Sequence, residues 1–220
     1  MGKAQTSVAF ERVAGKLADG VAYKLHGGTG LRARPTYKYP VRPAVSEGNA
    51  RMREANRLFN TMTEAQADAW TRYGEAHPRR DPMSGTRYAP AAKNIFSGLT
   101  CKLLQVDTDA EVPLLPPTGS FVGDGVRVVV EPGASLLAFA ASGPNRPGVL
   151  TELMIQPLKN VRCKPQKFYK SHGFIHFEEG SLVAVVPVEP GVYACMIQFV
   201  ERATGRVAGK VPLGKIEVVA

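Results

Sequence analysis

The sequence predicts a multidomain α+β chain with an N-terminal β arm, a small helical cluster and a C-terminal antiparallel β-sandwich. Three observations carry this expectation. Glycine-punctuated alternating stretches occupy residues 1–44, and apolar residues then recur at spacings of three and four over 45–112. After a proline-rich linker at 113–119, residues 120–220 hold seven short strand-like runs separated by turn residues. A length of 220 residues suffices for a buried core, and 44% hydrophobic with 21% charged residues exclude wholesale disorder.

In the arm, "GVAYKL" (Gly20–Leu25) alternates apolar and polar residues, "HGGTG" (His26–Gly30) carries turn chemistry, and "LRARPTYKYP" (Leu31–Pro40) alternates again. This predicts a hairpin whose return strand is weakened or ended by Pro35. A lone hairpin is marginal in water, so the arm is expected to pair with the rest of the chain or with a neighbouring subunit.

The helical segment opens with Ser46 as N-cap of a helix to about Asn60, whose stripe is Met52, Ala55, Phe59 and Met62. Thr63-Glu64-Ala65-Gln66 reads as a capping box for a second helix, with Met62 placed to act as part of a hydrophobic staple. Ala67, Trp70 and Tyr73 share a face of that helix, and Pro78 stops it. "RRDPMSGTRYAP" (Arg79–Pro90) is a loop, Pro90 suits the first turn of a third helix, and Ile95, Leu99, Leu103 and Val106 mark its buried side. Trp70, the sole tryptophan, is expected to anchor a three-helix cluster.

Strands are predicted at 121–130, 134–142, 149–156, 167–177, 181–188, 192–202 and 206–219, with separators such as "EPG", "SGPNRPG" and "ATG". Several short strands at regular spacing with turns between them suggest a sandwich. The stretch "VPVEPGVYACMIQFVE" (Val186–Glu201) resembles the end of a fibronectin type III domain. Pro190 and Gly191 match the family's turn, and Tyr193 matches the tyrosine whose hydroxyl bonds back to the chain at the strand corner. The family's early-strand tryptophan is absent here.

No residue pattern specifies catalysis. "HGGTG" lacks the GK[ST] ending of a phosphate-binding loop, and no GxSxG or HExxH occurs. His172, His176 and Glu178 in "SHGFIHFEEG" would share one face of a strand, with Phe174 between the histidines, but Cys163 is the only cysteine nearby and a zinc set stays incomplete. The expectation is therefore a non-enzymatic protein with no catalytic residues, no metal and no cofactor. Three widely spaced cysteines predict reduced thiols rather than a disulfide framework. No apolar run reaches the ~20 residues a bilayer requires, and "MGKAQTSVAF" has no apolar signal core, so no membrane association is expected.

Charge is uneven. Residues 1–60 hold 11 Lys/Arg against 4 Asp/Glu, whereas 61–112 hold 6 against 7 and 113–220 hold 11 against 8. "LRARPTYKYPVR" (Leu31–Arg42) interleaves Arg32, Arg34, Lys38 and Arg42 with Tyr37 and Tyr39, the candidate interaction residues. Such a segment can track phosphates and stack on bases, or dock on an acidic protein surface. No nucleic-acid-binding module accompanies it, which favours the protein surface.

Residues 1–106 resemble a diffuse group of bacteriophage and prophage proteins. That layout has a glycine-punctuated β arm ending in strands of the R-x-R/K kind, then a helix. A second helix of the form T-x-x-x-x-x-x-W-x-x-Y follows, then a helix bearing N-x-F. The matching residues are Arg32 and Arg34, then Thr63, Trp70 and Tyr73, then Asn94 and Phe96. The group's "SGYN" before the third helix is "APAAKN" here. The resemblance implies a structural subunit of the virion (capsid, connector or tail), located in the virion and in the bacterial cytoplasm during assembly. Its implied partners are other virion proteins and copies of itself. The alternative is a nucleic-acid-associated protein using the basic arm.

Overall fold

The computed structural model describes residues 3–4, 15–17, 20–25, 28–33, 43–81, 83–166 and 169–219. The chain divides into two compact units, Met1–Pro43 and Ala44–Ala220. The first is an antiparallel sheet of β1 (Lys3–Ala4), β2 (Gly15–Leu17), β3 (Gly20–Leu25) and β4 (Gly28–Ala33), in the order β1-β4-β3-β2. The expected hairpin is present as β3–β4, but its ladder closes at Leu25↔Gly28. The return strand thus begins at Gly28 rather than Leu31, so Gly28, Thr29 and Gly30 of "HGGTG" belong to the ladder.

All of α1 (Pro43–Asn60) but its first residue belongs to the second unit, and the helix begins three residues before the expected cap at Ser46. Proline fits a first helical turn, whose amide donors have no intrahelical partner. Within the expected stripe Ala55 is fully buried and Phe59 and Met62 are half-buried, whereas Met52 is exposed and Leu58 packs inward instead. The helix α2 (Glu64–Ala76) carries the full capping box: the Gln66 amide donates to Thr63 Oγ1 at 3.3 Å and the Thr63 amide donates to Gln66 Oε1 at 2.9 Å. Between Pro78 and the third helix, β5 (Arg79–Arg80) and β6 (Arg87–Tyr88) form a two-rung hairpin inside the expected loop. Its turn is held by the Asp81 carboxylate, which accepts from the Met83 amide at 2.7 Å. Hydrogen bonds from the Met83 amide, and then from the Ser84 hydroxyl and amide, hold the Asp81 carboxyl below its usual range.

Helix α3 (Ala92–Val106) begins two residues after Pro90, with Ala91 as an N-cap lacking a side-chain bond. Pro90 lies outside the helix because its carbonyl is packed against α2: a Cβ at Gly74 would come within 2.6 Å of that oxygen. Trp70, Ile95 and Phe96 form the helical core, with the Trp70 ring 5.3 Å from Phe96 and 5.7 Å from Tyr73, edge-on to both.

The seven strands expected in the C-terminal region are all present and shorter at most ends. They are β7 (Val128–Gly133), β8 (Leu136–Ala141), β9 (Val149–Leu158), β10 (Lys170–Ile175), β11 (Val183–Pro187), β12 (Gly191–Glu201) and β13 (Val211–Val218). They make one sheet in the order β11-β8-β7 and another in the order β10-β9-β12-β13, all pairs antiparallel. Alternate residues of both sheets meet in one core: Val128, Val130, Leu137, Phe139, Ala184 and Val186 from the first, and Leu153, Ile155, Cys195, Ile197 and Phe199 from the second. Phe139 and Phe177, both fully buried, supply its aromatic volume. The Tyr193 hydroxyl donates to the Glu189 carbonyl at 2.7 Å, fixing the turn into β12.

The proline-rich stretch at 113–119 separates helices from strands along the sequence, but it is tied on both sides in space. Trp70 Nε1 donates to the Leu114 carbonyl at 2.8 Å, and Arg206 Nη1 donates to the Gly119 carbonyl at 2.8 Å. Helix α3 also packs on the β12–β13 connection. Gly205, at φ +71, would place a Cβ 2.7 Å from the Leu103 amide and against the Leu99 carbonyl.

Candidate interaction surfaces

Of the residues predicted for interaction, one lies on a described strand. Arg32 lies on β4, in register with Val21 of β3. Arg34, Tyr37, Lys38, Tyr39 and Arg42 lie outside the described residues.

The histidine group also departs from expectation. The β9–β10 register shifts between Ser171 and Gly173, so His172 sits in a bulge and drops out of the alternation that would align it with His176. Burial, with Lys170 alongside, holds the His172 ring below its usual range. His176 Nδ1 lies 2.9 Å from the Val149 carbonyl, and Phe174 faces the Lys102 ammonium at 5.3 Å from its ring centre. Glu178 lies beyond the strand, bridged to Ser181. Among the described residues no three His, Cys, Asp or Glu side chains are grouped to hold a metal ion.

What the fold does build is a contrast between the two outer faces of the sandwich. On β9 and β12 the residues alternating with the core set include Glu152, Met154, Gln156, Ala194, Gln198 and Val200, all six buried, with Leu150 and Met196 half-buried among them. Their cover comes from three segments. Lys102 Nζ of α3 bonds both Glu152 carboxylate oxygens at 3.0 Å. Gln156 Oε1 accepts from the Gln166 amide at 2.9 Å, and Gln198 Nε2 donates to the Ala208 carbonyl at 2.8 Å. The three long polar side chains on this face that lost water have thus gained partners, which keeps their burial tolerable, whereas the buried Ser171 hydroxyl beside Met154 has none among the described residues.

Among the described residues no segment covers the opposite face. The outward residues of β7, β8 and β11 form cross-strand rows: Val129, Ala140 and Val183; Glu131, Ala138 and Val185; Gly133, Leu136 and Pro187. Val183 is 56% exposed, Val185 55% and Val129 49%. Strand β11 is also an edge. The Ala141 amide donates to the Leu182 carbonyl and the Val188 amide to the Ser135 carbonyl. The residues bonded across to β8 are therefore Leu182, Ala184, Val186 and Val188, which turns the amides and carbonyls of Val183 and Val185 outward. The run "VAVVP" reads in sequence as an ordinary buried strand. The available signal was its valines on both faces, which a sandwich strand needs on only one.

A second surface is basic. Arg79, Arg80 and Arg87 are exposed, and none makes an ion pair among the described residues. A groove of about 290 Å³ beside them is lined by Tyr73, His77, Arg79, Phe121 and Arg206. Arg206 is already engaged by both Glu201 oxygens at 2.8 Å.

Among the described residues no helix is long and apolar enough to cross a membrane. No protein-family model and no curated protein matches the sequence.

Proposed function

We propose that the protein is a non-enzymatic structural subunit that works by protein–protein assembly, as a capsid, connector or tail component of a phage virion. The observation that carries this reading is the exposed valine face and open edge of β7, β8 and β11, beside an opposite face on which helix α3 and two loops of the chain bury Glu152, Gln156 and Gln198. A monomer has reason to cover such a face, and subunits of repeating assemblies cover it with a neighbour. The sandwich is read as fibronectin type III-like. Seven strands in two antiparallel sheets and the Tyr193–Glu189 bond support this. Its fourth strand, β10, pairs with β9 instead of joining the sheet of β11, which argues against the immunoglobulin constant arrangement. Homo-oligomerisation through the basic arm (Arg32, Arg34, Tyr37, Lys38, Tyr39, Arg42) belongs to the same proposal. Sedimentation of the native protein with intact particles is the expected result, and its absence under all assembly conditions would sink the reading.

The rival reading is nucleic-acid association. Arg79, Arg80 and Arg87, in addition to the basic first 60 residues, favour it. Tight, steeply salt-dependent binding of DNA by a non-assembling protein would establish it.

A further inference from the structure

We infer that β11 is an acceptor edge for strand addition, and that its occupant is a basic extended polypeptide segment. The inference rests on the assembly reading above and names the surface and the partner chemistry for it. The other three edge strands of the sandwich each carry a feature that discourages pairing. Strand β10 is bulged at His172. Strand β13 contains Pro212 and a register shift opposite Cys195 and Met196. Strand β7 contains Pro132, and the turn after it is bonded to the end of the chain through Ser135 N and Val219 O. In β11 the four residues Val183–Val186 carry no proline, charge or bulge, and only Pro187 ends the strand.

An incoming strand would find two outward amides and two outward carbonyls, on Val183 and Val185, with the exposed valine side chains of the same residues beside it. Main-chain bonds would supply affinity, and the valine row would supply apolar cover. Charge selects the partner. Glu178 and Glu179 precede β11, Glu189 follows it, and Glu131 stands on the same face; all four are exposed and none is ion-paired among the described residues. The outward rows of that face hold no cation, and the exposed Arg127 lies just before β7. An acidic rim around an apolar edge favours a basic strand and repels an acidic one.

The test uses the full chain and a fluorescent synthetic peptide of residues 31–42, "LRARPTYKYPVR", read by anisotropy, with sedimentation velocity run in parallel. Val185→Pro removes one outward amide while sparing the ladder to β8, a position where edge strands tolerate proline. Val183→Lys serves as a second variant should the first misfold. The expected result is saturable peptide binding, weakened at least tenfold by Val185→Pro, by Val183→Lys and by Glu178→Lys/Glu179→Lys. Equal binding of an acidic peptide of the same length would overturn the partner chemistry. Unchanged binding in both valine variants would overturn the edge, as would a failure of any peptide to bind together with self-association that Val185→Pro leaves unchanged. Self-association that Val185→Pro abolishes without any peptide binding would assign the edge to a second copy of β11 and reject the basic occupant. Normal particle assembly by Val185→Pro would reject this inference and leave the assembly reading intact. Peptide binding by a chain that never assembles would do the reverse.

Discussion

On one outer face of the sandwich Glu152, Gln156 and Gln198 are buried, and on the other Val129, Val183 and Val185 stand about half exposed. Residue type alone would have assigned the two faces the other way round. Strand alternation decides which residues leave the core, but what packs on them afterwards decides which of them meet water. Helix α3 is the agent of that choice. It is buried toward the helical core through Ile95 and Phe96 and toward the sandwich through Leu103 and the Lys102–Glu152 pair.

The sharpest break in this comparison comes from the helical side. Trp70→Ala should lower stability by about 3–5 kcal/mol, through the cavity and through the orphaned Leu114 carbonyl, as urea unfolding will register. Next is Lys102→Met, which leaves Glu152 buried without its cation. A buried pair broken on one side costs about 3–5 kcal/mol, and partial solvent access at Lys102 puts the expectation near the lower bound. Lys102→Met/Glu152→Leu should recover most of that loss; if it does not, α3 is held to the sheet by something other than this pair.

A matched substitution then separates the faces directly. Val200→Thr, at a fully buried position of the covered face, should cost about 1–2 kcal/mol for a hydroxyl without water. Val185→Thr on the bare face should change stability by less than about 0.5 kcal/mol. Equal effects would mean that the bare face is covered in the folded chain.

The smallest effect is pH-dependent. Hydrogen bonds from Arg206, and then from Thr204, hold the Glu201 carboxyl below its usual range. A carboxyl depressed in the folded chain contributes stability above its unfolded pKa of about 4.3, and that contribution is lost as pH falls through the folded value. The difference in urea midpoint between the wild type and Glu201→Gln should therefore be present at pH 7 and shrink on acidification. A gap that persists at pH 3 would show that the ion pair is not its source.

Much of the fold was legible because its signals are local. Thr63 and Gln66 specify a cap within four residues, and the turn residues punctuating 130–205 specify seven strands. The remainder depends on packing between distant segments. Nothing near Glu152 or Gln198 announces a covering helix or loop, and nothing near Leu114 announces an indole donor 44 residues away. The bulge at His172 likewise follows from strand pairing, which alternation within one strand cannot reveal. Of the interaction residues, Arg32 alone falls among the described residues, and the valine edge escaped notice because exposed valines look like core ones until the sheet order is known.

The bond from Trp70 to Leu114 also makes the chain its own optical reporter. With a single indole, intrinsic fluorescence senses only the seam between the helical core and the proline-rich segment, whereas the circular dichroism of the strands senses the sandwich. Transitions that coincide for the two probes would mark residues 44–220 as one cooperative unit. An indole signal that moves first would mean that the helices peel from a sandwich still folded, uncovering Glu152 and its neighbours as a second face.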